Sequence, residues 1–220
     1  TVSSTVLNNL ATTWDQTVYP TATTYFGRNY NDGRGLAAPD VDNNCQVFVV
    51  IFDIDVSGAA GYFVPSFSNS RESIYIDLPV ASQASSGVVL AHELQHVLHN
   101  AADPFENAWI DEGNADMAAF LCFGAQSSLT SHSNAWATSP ELSVRWWNQR
   151  LADYGAGFLF MLYLADHLGG GPAIRALVAD TTTGGRSIEN LARNPISGPS
   201  GVIGTLSLIH ISEPTRREGI

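Results

Sequence analysis

His92-Glu93-Leu94-Gln95-His96, followed after a short connection by Glu112-Gly113-Asn114-Ala115-Asp116, is the stretch on which the reading of this chain turns. On a helix, residues i and i+4 lie on one face a turn apart, so two imidazoles can converge on one ion with Glu93 beside them. The neighbouring residues predict that helix. Ser85 and Ser86 offer N-caps, and Val88, Val89, Leu90, Leu94, Val97 and Leu98 supply an apolar surface with no interior proline, so one buried helix is expected over 87–101. A second is expected over 108–123, where Trp109, Ala115, Ala118, Ala119 and Phe120 dominate and Gly124 offers a stop. On it Glu112 and Asp116 share a face.

A chance HExxH is expected in roughly one chain in a hundred of this length, so the pentapeptide alone decides little. The ExxxD spacing on a second helix is a separate requirement. Solvated helix faces explain most acidic residues, but Glu112 and Asp116 are flanked by Trp109, Ile110, Ala115 and Met117. A catalytic zinc takes three protein ligands and leaves the fourth position to water, and His92, His96 and Glu112 complete such a set. Zinc lowers the pKa of its water and polarises a carbonyl, while Glu93 accepts the water's proton and passes it to the leaving amine. Asp116 is placed to accept the other ring N–H of a ligand histidine and so fix its tautomer. Tyr154, near Gly155 and Gly157, is read as an oxyanion donor against the plainer reading of a packing tyrosine.

HELQH followed by Trp109-Ile110-Asp111-Glu112-Gly113 resembles the gluzincin metallopeptidases, and among them the hyicolysin-type secreted bacterial peptidases. The resemblance extends upstream to Val18-Tyr19-Pro20, Tyr25-Phe26-Gly27, Ala60-Gly61-Tyr62-Phe63 and Ser73-Ile74-Tyr75-Ile76-Asp77. Downstream it reaches Asp153-Tyr154-Gly155 and Tyr163-Leu164, so it spans residues 10–170. It implies a secreted zinc endopeptidase with His92, His96 and Glu112 as ligands, Glu93 as base and a polypeptide as substrate. By analogy with thermolysin-like members, Asp116 is expected to partner His92.

The other histidines fit less well. His92 and His99 stand about 10.5 Å apart along the helix axis, too far to close one tetrahedral site with His96. The metzincin pattern also fails, with His99 where glycine is needed and Ala102 where the third histidine belongs. His99 is expected in a supporting or structural role. His132 falls in a Ser/Thr/Asn-rich stretch and His167 near a helix C-terminus. Both are read as structural, with the loop histidine open to assisting the oxyanion.

Hydrophobic residues make up 45% of the 220, and the net charge is −11 with no lysine at all. Such acidity argues against nucleic acid or an anionic membrane as partner. No apolar run reaches the roughly 18 residues that span a bilayer. Leu206 to Arg216 resembles the translation of a sequencing-library adapter, so residues 206–220 are expected to be a non-native tail. Residues 1–205 are then expected to be a single metallopeptidase domain, truncated at both ends. Discounting the tail leaves the charge at −11, because Arg216 and Arg217 offset Glu213 and Glu218.

Cys45 and Cys122 lack zinc-knuckle spacing and are equally compatible with two buried thiols or one disulfide. Asp40, Asp42 and Asn44 start like an EF-hand loop, which makes calcium a secondary cofactor reading, but Cys45 stands where glycine belongs and Ile51 where glutamate belongs. Val6, Leu7, Leu10 and Trp14 predict an N-terminal amphipathic helix, and Pro20 a second short one. Residues 31–44 and 124–140 are expected as loops, 46–54, 62–64 and 73–78 as strands. Trp146 and Trp147 could line a cleft or pack, and packing is the expectation. Residues 155–168 should form a buried helix ending at Gly169-Gly170-Gly171, with further helices after Pro172 and from Ser187.

The expected fold is α+β: a small mixed sheet packed on the HELQH helix, then a mainly helical lobe, with zinc in the cleft between, as in gluzincins. Besides a zinc endopeptidase, two readings stay open. One is a zinc-containing binding domain without useful turnover; the other is a zinc amidase or aminopeptidase.

Overall fold

The computed structural model describes residues 2–30, 33, 35–55, 58–68, 70–194 and 196. The tail expected at 206–220 lies outside them. Helix α1 (Ser4–Thr13) starts where Ser3 Oγ accepts the Val6 N–H, and a π-turn at Trp14–Val18 leads into α2 (Tyr19–Phe26). Val18, Ala22 and Phe26 bury one face of this segment.

Strands β1 (Arg28–Tyr30) and β2 (Gly35–Ala37) pair antiparallel, so part of the loop expected at 31–44 is strand. Burial explains the difference. Ala37 and Ala38 pack inward and the Ala38 N–H donates to the Tyr19 hydroxyl, so backbone groups drawn inside need partners.

Strands β3 (Phe48–Phe52), β4 (Gly61–Tyr62) and β5 (Ser73–Asp77) form the main sheet in the order β3-β5-β4. It is mixed: β3 runs parallel to β5, with Val50 opposite Tyr75, and β4 runs antiparallel, with Tyr62 opposite Tyr75. The two-residue alternation of β5 sends Ile74 and Ile76 into the core and Tyr75 to the other face, where it stacks on Tyr62 at 4.9 Å.

A short α3 (Leu78–Ala81) turns the chain into α4 (Ser86–Ala102), which lies on the inner face of the sheet. Leu90, Ala91, Leu94, Val97 and Leu98 are buried there, each large side chain contributing about 1.5–3 kcal/mol. Leu94→Ala would cost about 2–5 kcal/mol, since Leu94 is wholly enclosed. A short connection leads to α5 (Ala108–Phe123), packed along α4. Both helices match their sequence expectation to within a residue at either end.

The polar stretch expected as a loop at 124–140 contains α6 (Ser127–Ala137). Its poor helix formers are overridden by packing: Leu129 is buried, and α6 docks closely on α7 (Leu151–Leu168). A Cβ added at Gly155 of α7 would stand 2.1 Å from the His132 carbonyl oxygen, so only glycine lets these backbones approach so closely. Helix α7 begins four residues before its expected start because the Asp153 carboxylate accepts the N–H groups of Asn148 and Arg150. It ends, as expected, at Gly169, with φ 117°.

Helices α8 (Gly171–Val178) and α9 (Gly185–Arg193) are the last elements among the described residues, with Leu177 and Leu191 in the same continuous core as Leu10 and Leu94. The architecture is α+β. Trp147 packs on Tyr154 at 4.8 Å as expected, whereas Trp146 is 67% exposed, a correction to its expected packing. Cys45 and Cys122 are not joined in a disulfide; Cys45 is exposed rather than buried, and its thiol donates to Asp40 Oδ2 at 3.3 Å. Among the described residues no helix is long and apolar enough to cross a membrane.

Candidate metal centre

His92 and His96 project from the same face of α4, their rings 4.9 Å apart and nearly perpendicular. Glu112 on α5 faces them. Its Oε2 lies 3.2 Å from His92 Nε2 and 3.6 Å from His96 Nε2. One ligand atom from each of the three residues lies within 4.8 Å of the others, so together they can hold a metal ion.

The opposite ring nitrogens are occupied. His92 Nδ1 lies 3.1 Å from Asp116 Oδ1, and His96 Nδ1 lies 2.9 Å from Asp111 Oδ2. An ionised carboxylate only accepts, so each Nδ1 carries the donated hydrogen and each Nε2 is turned toward Glu112. The Asp116 contact is the one expected from sequence. The Asp111 contact is not: Asp111 was no part of the expected site, yet it holds the second ligand histidine.

Each carboxylate also holds a further histidine. Asp116 Oδ2 accepts from His132 Nδ1 at 2.6 Å, and Asp111 Oδ1 lies 3.0 Å from His99 Nδ1. His99 thus lies beside the carboxylate that meets His96, its Nδ1 also 3.2 Å from Gln95 Nε2. His132, read as structural in a loop, sits instead on α6 and reaches the centre through Asp116. His167 stays apart, its Nδ1 donating to the Tyr163 carbonyl.

The charges interlock. Burial opposes protonation of His92, but hydrogen bonds to Asp116 and Glu112 and the charge of Glu93 outweigh it and push its pKa up to about 10. His96 rises well above its ordinary value against the same burial, through Asp111 and Glu112. Glu112 is brought down to about 2, because the two imidazoles overcome its desolvation. Asp111 and Asp116 are likewise held low against burial, the first by His96 and His99, the second by His132 and His92. Glu93 moves the other way: burial raises it, and Glu112 and Asp111 add to the rise against the pull of the two imidazoles.

Glu93 is only 6% exposed and sits against strand β4. A Cβ at Gly61 would lie 2.8 Å from the Tyr75 carbonyl oxygen and 3.3 Å from Glu93 Cγ, so glycine lets the strand pass beside this carboxylate. On the other side, α5 and α7 cross where Gly113 meets Gly157; a Cβ on Gly113 would come within 2.7 Å of the Gly157 backbone. That close crossing brings Tyr154 near. Its ring lies 5.0 Å from that of His132, and burial with the charges of Glu112, Asp116 and Glu93 pushes its phenol up to about 12. A cavity of about 220 Å³ borders the centre, lined in part by Phe63, His96, Asn100, Asp111 and Glu112.

The residues fit a metal on their own chemistry. Glu112 Oε2 is buried, and the Nε2 atoms of His92 and His96 converge on it. No protein-family model matches the sequence, and no curated protein matches it.

Proposed function

We propose that this protein is a zinc-dependent metalloendopeptidase that hydrolyses internal bonds of a polypeptide. One observation carries the reading: His92 Nε2 and His96 Nε2 stand 3.2 and 3.6 Å from Glu112 Oε2. Two ligands on a tetrahedral zinc at about 2.0–2.1 Å are separated by about 3.3 Å, so these spacings suit zinc with little movement. Zinc bound there would supply Lewis acidity and lower the pKa of a water molecule. The nitrogen, nitrogen and carboxylate donor set leaves a fourth position open, as hydrolytic sites require.

The chain's own residues take the remaining tasks. Glu93, buried beside the two imidazoles and raised in pKa, accepts a proton from the attacking water and returns it to the leaving amine. Asp116 and Asp111 keep both ligand histidines in the tautomer that points Nε2 at the centre. Tyr154 keeps its phenolic proton, with a pKa near 12, and so can donate to the developing oxyanion. Strand β4, at the end of the order β3-β5-β4, offers an edge beside Glu93 along which an extended peptide can pair. An edge that takes chain on both sides of the scissile bond favours internal cleavage over removal of terminal residues.

Glu93→Gln keeps size and hydrogen-bonding reach but cannot take the proton. Hydrolysis of a diverse peptide library should fall by about 10²–10⁴-fold while elemental analysis still finds one zinc. Equal rates in the zinc-loaded variant and wild type would refute the mechanism. Wild type that holds zinc and leaves every peptide intact would make the protein a binding domain. Cleavage confined to N-terminal residues would make it an aminopeptidase.

A further inference from the structure

The EF-hand comparison fails inside the loop because Cys45 and Ile51 occupy key positions. The fold brings a carboxylate to that loop from elsewhere. Glu72, directly before β5, places its side chain against Asp40 and Asp42, and one carboxylate oxygen from each of the three lies within 4.8 Å of the others.

Glu72 is 2% exposed. Its Oε1 accepts the Val41 N–H, but Oε2 is buried with no hydrogen-bond partner. A buried carboxylate oxygen that has given up water without gaining a donor is costly, and the neighbouring groups are two more carboxylates, which only accept. Asp40 and Asp42 are meanwhile held in place. Asp40 accepts the Cys45 N–H at 3.1 Å, and Asp42 accepts the Asn44 N–H at 3.3 Å and its side-chain amide at 2.8 Å. The Cys45 thiol also donates to Asp40 Oδ2, at 3.3 Å. A carboxylate oxygen carries two lone pairs, so accepting one hydrogen bond does not bar it from a cation.

We propose that Asp40, Asp42 and Glu72 form a calcium site, separate from the histidine centre and independent of its proposed activity. All three donors are hard oxygens, which favour calcium or magnesium over zinc. How exacting each ion is decides between the two. Oxygens on opposite sides of calcium stand about 4.6–5.2 Å apart, whereas magnesium draws them to within about 4.2 Å and demands near-octahedral order. A loop with two partly exposed aspartates suits the larger, less exacting ion. The ion would tie the loop around Asp40 and Asp42 to the start of β5, where the Glu72 carbonyl already accepts the Phe48 N–H at 2.7 Å. It would thereby brace the β3–β5 pair.

The test is calorimetric titration of the full chain with calcium chloride, with and without saturating zinc, alongside melting curves in calcium or magnesium. One calcium should bind with a Kd of about 10⁻⁴–10⁻³ M, unaffected by zinc. At calcium about a hundredfold above Kd, the melting temperature should rise by about 5–10 °C, and magnesium should do markedly less. Asp42→Asn, at a partly exposed position, should weaken calcium binding at least tenfold. Glu72→Gln should abolish the calcium-dependent rise and melt no lower than wild type in calcium-free buffer, because its side-chain oxygen can keep the Val41 N–H while the amide replaces the oxygen that has no donor. No calcium binding, a melting rise that survives in both variants, equal response to magnesium, or displacement of calcium by zinc would each overturn the assignment.

Discussion

The His92 side of the centre and the His96 side follow one pattern drawn from different parts of the molecule. In both, Nδ1 meets a carboxylate that also holds a second histidine. On the His92 side that carboxylate is Asp116, whose side chain is 3% exposed and whose other partner, His132, comes from α6. On the His96 side it is Asp111, 33% exposed, whose other partner, His99, lies on α4 itself. One side therefore depends on a third helix docking. The other is complete once α4 and α5 pack together, so loosening α6 should disturb His92 and spare His96.

The largest effect expected is on what the two sides share, the proton load of the metal-free centre. His92 and His96 both have raised pKa values, to about 10 for His92 and well above the ordinary value for His96, so near neutral pH a metal must displace protons to bind. Apparent zinc affinity should rise with pH by up to about tenfold per displaced proton per pH unit, hence up to about 100-fold per unit with both histidines protonated. The metal-free protein should show the opposite trend in stability. A raised histidine contributes fully below its ordinary value of 6.5 and loses that contribution as pH climbs toward 10. Glu112, with a depressed pKa, contributes above its ordinary 4.5 and loses this as pH falls toward about 2. Melting curves without metal should therefore peak between these ordinary values and decline on the alkaline side. Zinc affinity that is flat from pH 6 to 8 would mean that the two imidazoles are neutral in the free protein.

Next in size are the two carboxylates. Asp116→Ala and Asp111→Ala should each weaken zinc binding by about 10–100-fold, since each leaves a ligand imidazole unoriented. Asp116→Ala should lie toward the upper end, because it unpairs two histidines in a buried place and unties α6. Water can replace part of what Asp111 supplies. Competition titration against a chelator of known affinity will rank them; a silent Asp111→Ala would show that the His96 side is not the counterpart of the His92 side.

How much of this was legible in the sequence follows from where each partner comes from. HELQH and its helix were readable because period and chemistry agree over one continuous segment, and the ExxxD spacing carried Glu112 and Asp116. Asp111 was readable in principle. The contacts 92 with 116 and 96 with 111 show that α4 and α5 run antiparallel, so a step forward on one helix is a step backward on the other. A partner for His96 had to precede Glu112, and Asp111 is the acid there. His132 had no such signal. Its segment is rich in residues that favour turns, and what makes it a helix is Gly155 on α7, which yields room to the His132 carbonyl. Glu72 was invisible for a related reason: the calcium motif was sought within one loop, and the sheet supplies the carboxylate from another segment.

The smallest effect separates the sides most finely. His132 touches no ligand atom of the centre; it acts through Asp116, donating to Oδ2 while His92 uses Oδ1. Losing one such hydrogen bond is worth about 0.5–1.5 kcal/mol, so His132→Ala should weaken zinc affinity by roughly 2–10-fold. In an Asp116→Ala background the same change should do nothing, because the carboxylate that carries its influence is gone. His99→Ala is the matching change on the other side, but His99 is 1% exposed, so its removal opens a cavity in the core and should lower the melting temperature more than His132→Ala does. A double-mutant cycle in zinc affinity, with melting curves for each protein, tests both statements. If His132→Ala weakens zinc binding equally with and without Asp116, the histidine does not work through that carboxylate. Helix α6 would then bear on the metal by some other contact, such as Tyr154, whose ring lies 5.0 Å from that of His132.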